Sequence, residues 1–474
     1  MTSVRVAAVD LGATSGRVIA AEAGPGLLRL DEVHRFPNDP VRTPDGLHWN
    51  LLELYRQALA GLQRAHRSGG GLAGVAIDSW AVDYGLFRDG RLLGVPFHYR
   101  DEVRGAAGVE RVHAALPHAE LFARNGLQFL PFNTVYQLAA DPWVELADRM
   151  LLVPDLLGRW LTGAEATERT NASTTGLLDV RTGEWDRELA DRLGLPRRVL
   201  GELVEPGTRI GALQGDLARA LDLPELPVTT VGSHDTASAV VGVPMTGPGA
   251  AFISCGTWGL VGAELAEPVL TEAARAANFT NEGGVDGRIR FLTNVMGLWL
   301  LSESMRWWAR DGGSVSLTDL LAAAARLPGD VEVFDVQDSR FLAPGDLPGR
   351  IAQWYDEHGL RAPTDRPSLV RAVLESLAQA FTDAVERIQE LSGERIDRIH
   401  VVGGGSLNVL LCQRLADRSG RKVLAGPVEA TALGNVLVQA RTAGALTGTL
   451  ENLRDLVART HAPIVLTPRP RRAG

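Results

Sequence analysis

One pattern, used twice, constrains this chain more than anything else in it. Near the start an apolar run, Val6-Ala7-Ala8-Val9, leads through Asp10 into the turn Gly12-Ala13-Thr14-Ser15-Gly16. Arg17 follows, then a second apolar run, Val18–Ala21. From Ala250 the scheme returns: an apolar run to Ser254, the turn Cys255-Gly256-Thr257-Trp258-Gly259, and a further run Leu260–Ala263. Two β-rich runs bracketing a glycine-containing turn read as a hairpin. One such hairpin opens each half of the chain, and Val243–Gly249, rich in Pro and Gly, separates the halves. The repeat predicts an internally duplicated α/β chain whose paired loops face each other across a cleft. The expected division is a first domain over residues 1–244 and a second over 245–440, with a final helix and tail over 441–474.

The opening turn is built for an anion. Glycine allows close backbone approach, turn N–H groups form an anion-binding concavity, and Arg17 adds a fork matched to phosphate oxygens. Asp10 can hold a divalent cation beside them. Lys422 is the only lysine. A Walker-type GxxxxGK[ST] loop is therefore absent, and a lysine-dependent Schiff-base enzyme is disfavoured.

Bulk properties narrow the setting. At 474 residues the chain exceeds one ordinary domain. A net charge of −9 gives no reason to expect a nucleic-acid or membrane partner. No secretory signal is evident, no apolar run approaches the ~18 residues needed to span a bilayer, and two cysteines without metal-type spacing fit a reducing interior. The expectation is a soluble cytoplasmic protein, monomeric.

Further candidates follow predicted strands. Gly74–Ile77 ends in Asp78-Ser79-Trp80-Ala81-Val82-Asp83, two carboxylates around a tryptophan, which suits a sugar. Phe97–Asp101 is a second polar cluster containing His98 and Arg100. A strand at Pro227–Val231 feeds Gly232-Ser233-His234-Asp235-Thr236, an acid/base candidate for which helix capping is the competing explanation. Asn278–Gly284 reads as a polar turn, Phe291–Trp308 as an apolar helix with Asn294 near its start, and residues 327–368 as an irregular insertion. Leu369–Leu391 reads as a long amphipathic helix. Ile399–Val402 runs into Gly403-Gly404-Gly405, a strand–glycine–helix site for ribose and phosphate. It lacks the GxGxxG spacing of a dinucleotide fold. The TPRPRRAG terminus is expected to be disordered.

In order along residues 4–440, AVDLGATSGR, AIDSWAVD, SHDTASA, SCGTWGL and VVGGGSLN resemble the FGGY carbohydrate kinases of the actin–hexokinase–Hsp70 superfamily. The longer stretches PFHYRDE, GLQFLPFNTVYQL, TNASTTGLLD, NFTNEGG, NVMGLWLLSE and AGPVEATALGN are similar to the branch of that family acting on L-rhamnulose. The resemblance implies two ribonuclease-H-like (actin-like ATPase) α/β domains hinged about a central cleft, and transfer of phosphate from ATP to a ketose. By resemblance, Ala13, Thr14, Ser15, Gly16 and Arg17 hold phosphates, Thr257 belongs to the second phosphate loop, and Gly404 lies at the adenosine site. His234, Asp235 and Thr236 match the substrate motif with Asp235 as catalytic base. Asn294 matches another substrate contact, and Mg2+ is associated with Asp10 directly or through water. Asp78, Trp80 and Asp83 are further sugar-site candidates. Two positions depart from the family pattern: Ala81 stands where glycine is usual in a sugar loop, and Ser302 where a glutamine is expected in a nucleotide-contacting helix. L-fuculose or a pentulose is the alternative substrate. A non-catalytic sensor and a dehydrogenase are the alternatives of other classes.

Overall fold

A computed structural model describes residues 3–310, 316–329 and 331–469. The chain divides into two compact units that are not contiguous in sequence. The first comprises Met1–Thr246, Glu264–Phe291 and Glu429–Thr460, and the second Gly247–Ala263, Leu292–Val428 and His461–Gly474. Residues 429–440, grouped above with the second half, thus pack with the first unit. The helix Ala430–Thr442 lies on the first unit's strand Val4–Leu11 and helix Asp235–Gly242.

In the first unit the strand order is Arg209–Ala212, Pro227–Thr229, Val75–Ser79, Val4–Leu11, Ser15–Gly24, Leu27–Pro37. The opening hairpin is antiparallel, with Asp10 opposite Arg17, while Val4–Leu11 runs parallel to Val75–Ser79 with Asp10 beside Asp78. Successive side chains of a strand point to opposite faces, and both faces are covered here. Ala7, Val9 and Leu11 pack with the helix Leu51–Arg67. Val6 and Ala8 pack with the helices Ala430–Thr442 and Leu450–Thr460. A strand buried on both faces reads as a continuous apolar run, which is why VAAV shows no alternation. A third apolar cluster, including Tyr84, Tyr136, Leu152 and Leu177, underlies the segments that follow.

In the second unit the order is Ile289–Met296, whose first three residues fall in the first unit, Trp258–Leu265, Ala250–Cys255, Arg398–Val402, Lys422–Ala425, Ile464–Leu466. Its hairpin pairs Cys255 with Gly259, and Ala250–Cys255 runs parallel to Arg398–Val402. This is the first hairpin's arrangement again: a hairpin whose first strand also pairs with a parallel neighbour.

Three expectations give way. Residues 289–296 form a strand, and the helix begins only at Trp299. The β-prone stretch FLTNVM is fully extended and Gly297 ends it, so Asn294 sits on a strand. A short apolar run cannot be assigned to helix or strand by periodicity alone. Thr280–Gly283 is a strand rather than a turn. The 327–368 region contains a helix, Leu347–Glu357, whose Asp346 side chain accepts from Gly349 N. The long helix spans Arg366–Ser392, started by an Asp365/Ser368 capping box. Residues 470–474 of the terminal stretch lie outside the described residues. Among the described residues no helix is long and apolar enough to cross a membrane.

Candidate active site

In the first unit, three ionisable side chains line up across the sheet: Arg17, Asp10 and Asp78, each in register with the next. Arg17 Nε and Nη2 reach Asp10 Oδ2 at 2.8 and 2.6 Å, and Arg17 Nη1 pairs with Glu429. Every guanidinium nitrogen is therefore engaged by a carboxylate. The turn itself is tied back by Asn38, whose N–H and Nδ2 donate to the carbonyls of Thr14 and Gly12. Gly16 is required by packing, since a Cβ there would fall 2.3 Å from the Phe36 ring. Thr14 stands exposed at the tip, with Ala13 and Ser15 half-buried beside it.

Asp78 is wholly buried; Oδ2 accepts from Asn435 Nδ2 at 2.5 Å, and Oδ1 has no hydrogen-bond partner. Burial, then the nearby Asp10 charge, hold its carboxyl well above the usual range. Among the described residues no cluster of three or more His, Cys, Asp or Glu forms a ready metal cage. Magnesium, however, keeps several waters and takes one or two carboxylates. Asp10, with the unpartnered Asp78 oxygen in the next strand, fits that requirement.

His234 caps the helix Asp235–Gly242, which places Asp235 in its first turn, where the helix dipole favours a carboxylate. Ser79 N donates to Ser233 O, so this loop is stitched to the end of the strand carrying Asp78. Asp235 keeps 29% of its side chain exposed. The surrounding protein nevertheless desolvates it and raises its pKa, His234 opposing the shift and Asp10 adding to it. Its Oδ1 accepts from Thr236 Oγ1 at 3.1 Å and faces His234 Nε2 at 3.4 Å. A raised carboxylate with one anchored oxygen is suited to accept a proton from an alcohol.

The structure gives Trp80 and Asp83 other work. Trp80 is buried and packs against Trp49, ring centroids 3.8 Å apart. Asp83 Oδ2 accepts from Trp49 Nε1, Trp80 Nε1 and Tyr99 N, and Oδ1 from Gln137 Nε2. Asp83 therefore organises the loops, and burial pushes its carboxyl up to about 7 despite those donors. Ala81 is half-buried, and the strained position is its neighbour: Val82 has φ +69°, unfavourable for a β-branched residue. His98 is buried and stacked on Trp49, its pKa lowered to about 4 chiefly by burial.

In the second unit the Thr257 turn meets two glycine segments. A Cβ on Gly297 would lie 2.7 Å from Thr257 O, and Leu298 N and Trp299 N donate to the carbonyls of Gly256 and Thr257. A Cβ on Gly405 would lie 2.3 Å from Cys255 Sγ, so the glycine run packs directly on the turn's strand. Gly404 faces open space. Asn294 Oδ1 is inaccessible and without a hydrogen-bond partner, and Ser302 is exposed on its helix.

Residue-by-residue sequence reading missed Glu429, Asn435, Glu282 and Arg290. The first three lie inside the AGPVEATALGN and NFTNEGG stretches, and their composition gave no hint of the partners that folding supplies.

The profile of the FGGY family of carbohydrate kinases matches through its N-terminal domain over residues 6–242 and its C-terminal domain over residues 251–443. This chain belongs to that family. The FGGY assignment agrees with individual relatives. It is 38% identical to a rhamnulokinase of Bacteroides thetaiotaomicron, covering 96% of this chain and 93% of the relative. It is 41% identical to one of Pectobacterium carotovorum, covering 94% and 90%. A third, from Bacillus subtilis, is 35% identical over 98% and 95%. The fold of this FGGY chain is similar to a gluconate kinase of Lactobacillus acidophilus, with a TM-score of 0.80 at 15% identity over 99% and 94% of the two chains. It is also similar to a xylulose kinase of Rhodospirillum rubrum, with 0.78 at 21% identity over 99% and 95%.

Proposed function

We propose that this carbohydrate kinase transfers the γ-phosphoryl group of ATP to the C1 hydroxyl of L-rhamnulose, giving L-rhamnulose 1-phosphate. The likeness to rhamnulokinases at 35–41% identity over nearly the whole chain carries the substrate assignment. Phosphoryl transfer calls for positioning and charge neutralisation rather than covalent catalysis. Asp235 accepts the proton of the attacking primary alcohol through Oδ2, its other oxygen being anchored; such a base is worth roughly 10²–10⁴ in rate. Ala13, Thr14, Ser15, Gly16 and Arg17 hold phosphate oxygens, for which Arg17 must exchange Glu429 for the nucleotide. Thr257 and Gly404 serve the nucleotide, and His234, Thr236, Asn294 and the Ala81 backbone serve the sugar. Mg2+, when bound, neutralises phosphate charge, and Asp10 would hold it directly or through water. The proposed setting is a cytoplasmic monomer without nucleic-acid or membrane partners.

The test is coupled ADP release with Mg·ATP against L-rhamnulose, L-fuculose, L-ribulose, D-xylulose and glycerol. The highest kcat/KM belongs to L-rhamnulose, and a higher value for another ketose moves the substrate, with Ala81 the first position to revert. Asp235→Asn keeps ATP binding and loses turnover; retention of more than about half the rate removes Asp235 from the base role.

A further inference from the structure

We infer that Arg290 is a positioning residue that fixes the tautomer of His234 and, through it, the carboxylate of Asp235. The functional half of this inference rests on the base role proposed for Asp235. Arg290 is fully buried on the strand Ile289–Met296. Its Nε donates to Gly283 O at 2.9 Å, which fixes the guanidinium plane. Nη1 lies 3.1 Å from Glu282 Oε2, and Nη2 lies 3.2 Å from His234 Nδ1. A guanidinium is donor only. The Nδ1 that faces it must therefore accept, and a neutral imidazole accepting at Nδ1 carries its proton on Nε2.

Glu282 Oε2 stands 3.3 Å from the same Nδ1 and nearer, at 3.1 Å, to Arg290 Nη1, which is its ion-pair partner. Arg290 and His234 hold Glu282 below the usual carboxylate range although burial works against it, so Glu282 is an anion that balances the buried guanidinium. With the proton on Nε2, the imidazole presents N–H to Asp235 Oδ1, the oxygen that already accepts from Thr236. The 3.4 Å separation is long, as catalytic hydrogen bonds often are before substrate binds. Two donors on Oδ1 leave Oδ2 directed to the alcohol. With the other tautomer, a lone pair would oppose the carboxylate and release that constraint. The titratable groups facing Asp235 and His234 from neighbouring elements are Asp10, Asp78, Tyr99, Glu282 and Arg290. Of these, only Arg290 donates to Nδ1.

The test is a long-range proton–nitrogen spectrum of the full chain labelled with 15N-histidine, at mildly alkaline pH. His234→Gln identifies the signal among the ten histidines. The expected wild-type pattern is a protonated Nε2 and a bare Nδ1. A protonated Nδ1, alone or together with Nε2, overturns the inference. Arg290→Met moves the proton to Nδ1 and lowers kcat about 100-fold, the scale of a 1 Å misplacement, with the KM for ATP unchanged. Arg290→Lys, which keeps a donor, restores the Nε2 proton and most of kcat. Wild-type tautomer and kcat in Arg290→Met also overturn the inference, and if that variant does not fold, the wild-type and Arg290→Lys spectra decide. A protonated Nε2 in a wild-type chain that turns over no ketose supports the tautomer assignment and overturns the base role, so the two failures are distinct.

Discussion

Gly434→Ala is the most discriminating single perturbation, because one methyl group addresses both the fold and the site. Gly434 lies on the helix Ala430–Thr442 where it crosses the helix Asp235–Gly242. A Cβ at 434 would sit 1.8 Å from Ser238 O and 2.7 Å from Ser238 C, and ordinary contact begins near 3.4 Å. Gly242 repeats the close approach, with a Cβ 2.1 Å from Ala430 O. The obstacles are backbone atoms inside helices, so no side chain can swing aside. The helices must separate by roughly 1.5 Å at the crossing. Overpacking of this kind costs about 1–3 kcal/mol, or roughly 5 °C in the melting midpoint of a unit this size. Asp235 precedes Ser238 by less than one turn, so the same displacement moves the proposed base, and kcat falls about 100-fold. Differential scanning fluorimetry and ADP-release kinetics read both effects. Gly404→Ala is the control for stability, since its Cβ meets nothing within 4 Å and the melting midpoint stays unchanged. A Gly434→Ala chain with wild-type melting and wild-type kcat would refute the close crossing and its coupling to the site.

Two further outcomes follow from buried charge. Asp83 has a folded-state pKa raised to about 7, above its unfolded value, so its contribution to stability is full below about pH 4 and is lost as pH rises through 7. The loss amounts to at most about 4 kcal/mol. Asp83→Asn removes that part of the pH dependence, read as a flatter melting midpoint between pH 4 and 7; an undiminished slope assigns the dependence elsewhere. Glu429→Gln weakens the competitor for Arg17 while leaving the Asp10 pair in place. The Glu429 side chain is 36% exposed, so the gain is small, about a two- to threefold lower KM for ATP. An unchanged KM argues that Arg17 serves to hold Asp10 rather than a phosphate.

Legibility in the sequence tracked the range of the forces involved. Both hairpins were readable because turn chemistry and β-rich runs act over a few residues, and the structure pairs Asp10 with Arg17 and Cys255 with Gly259. The strand–glycine–helix at Val401–Ser419 was readable for the same reason, save for a short 3-10 turn over Gly404–Leu407. The stretch from Phe291 misled because an apolar run buried on both sides has no period to declare its type. Trp80 and Asp83 carried the right chemistry for a sugar, but chain position could not reveal that Trp49, Tyr99 and Gln137 would converge on them.

By itself, the sequence determined a duplicated α/β chain, glycine-containing hairpin turns free of lysine, and a carboxylate at a strand-to-helix switch. These are local properties, fixed by which residues tolerate a turn, an extended run or a helix start. Only the tertiary structure decided which charges meet. Glu429 reaches Arg17, Asn435 reaches Asp78, and Arg290 with Glu282 reaches His234 across separations of 412, 357 and 56 or fewer residues. Such pairings follow from burying both faces of a sheet, which forces distant helices and strands to share one core and brings their few polar side chains into contact where water cannot screen them.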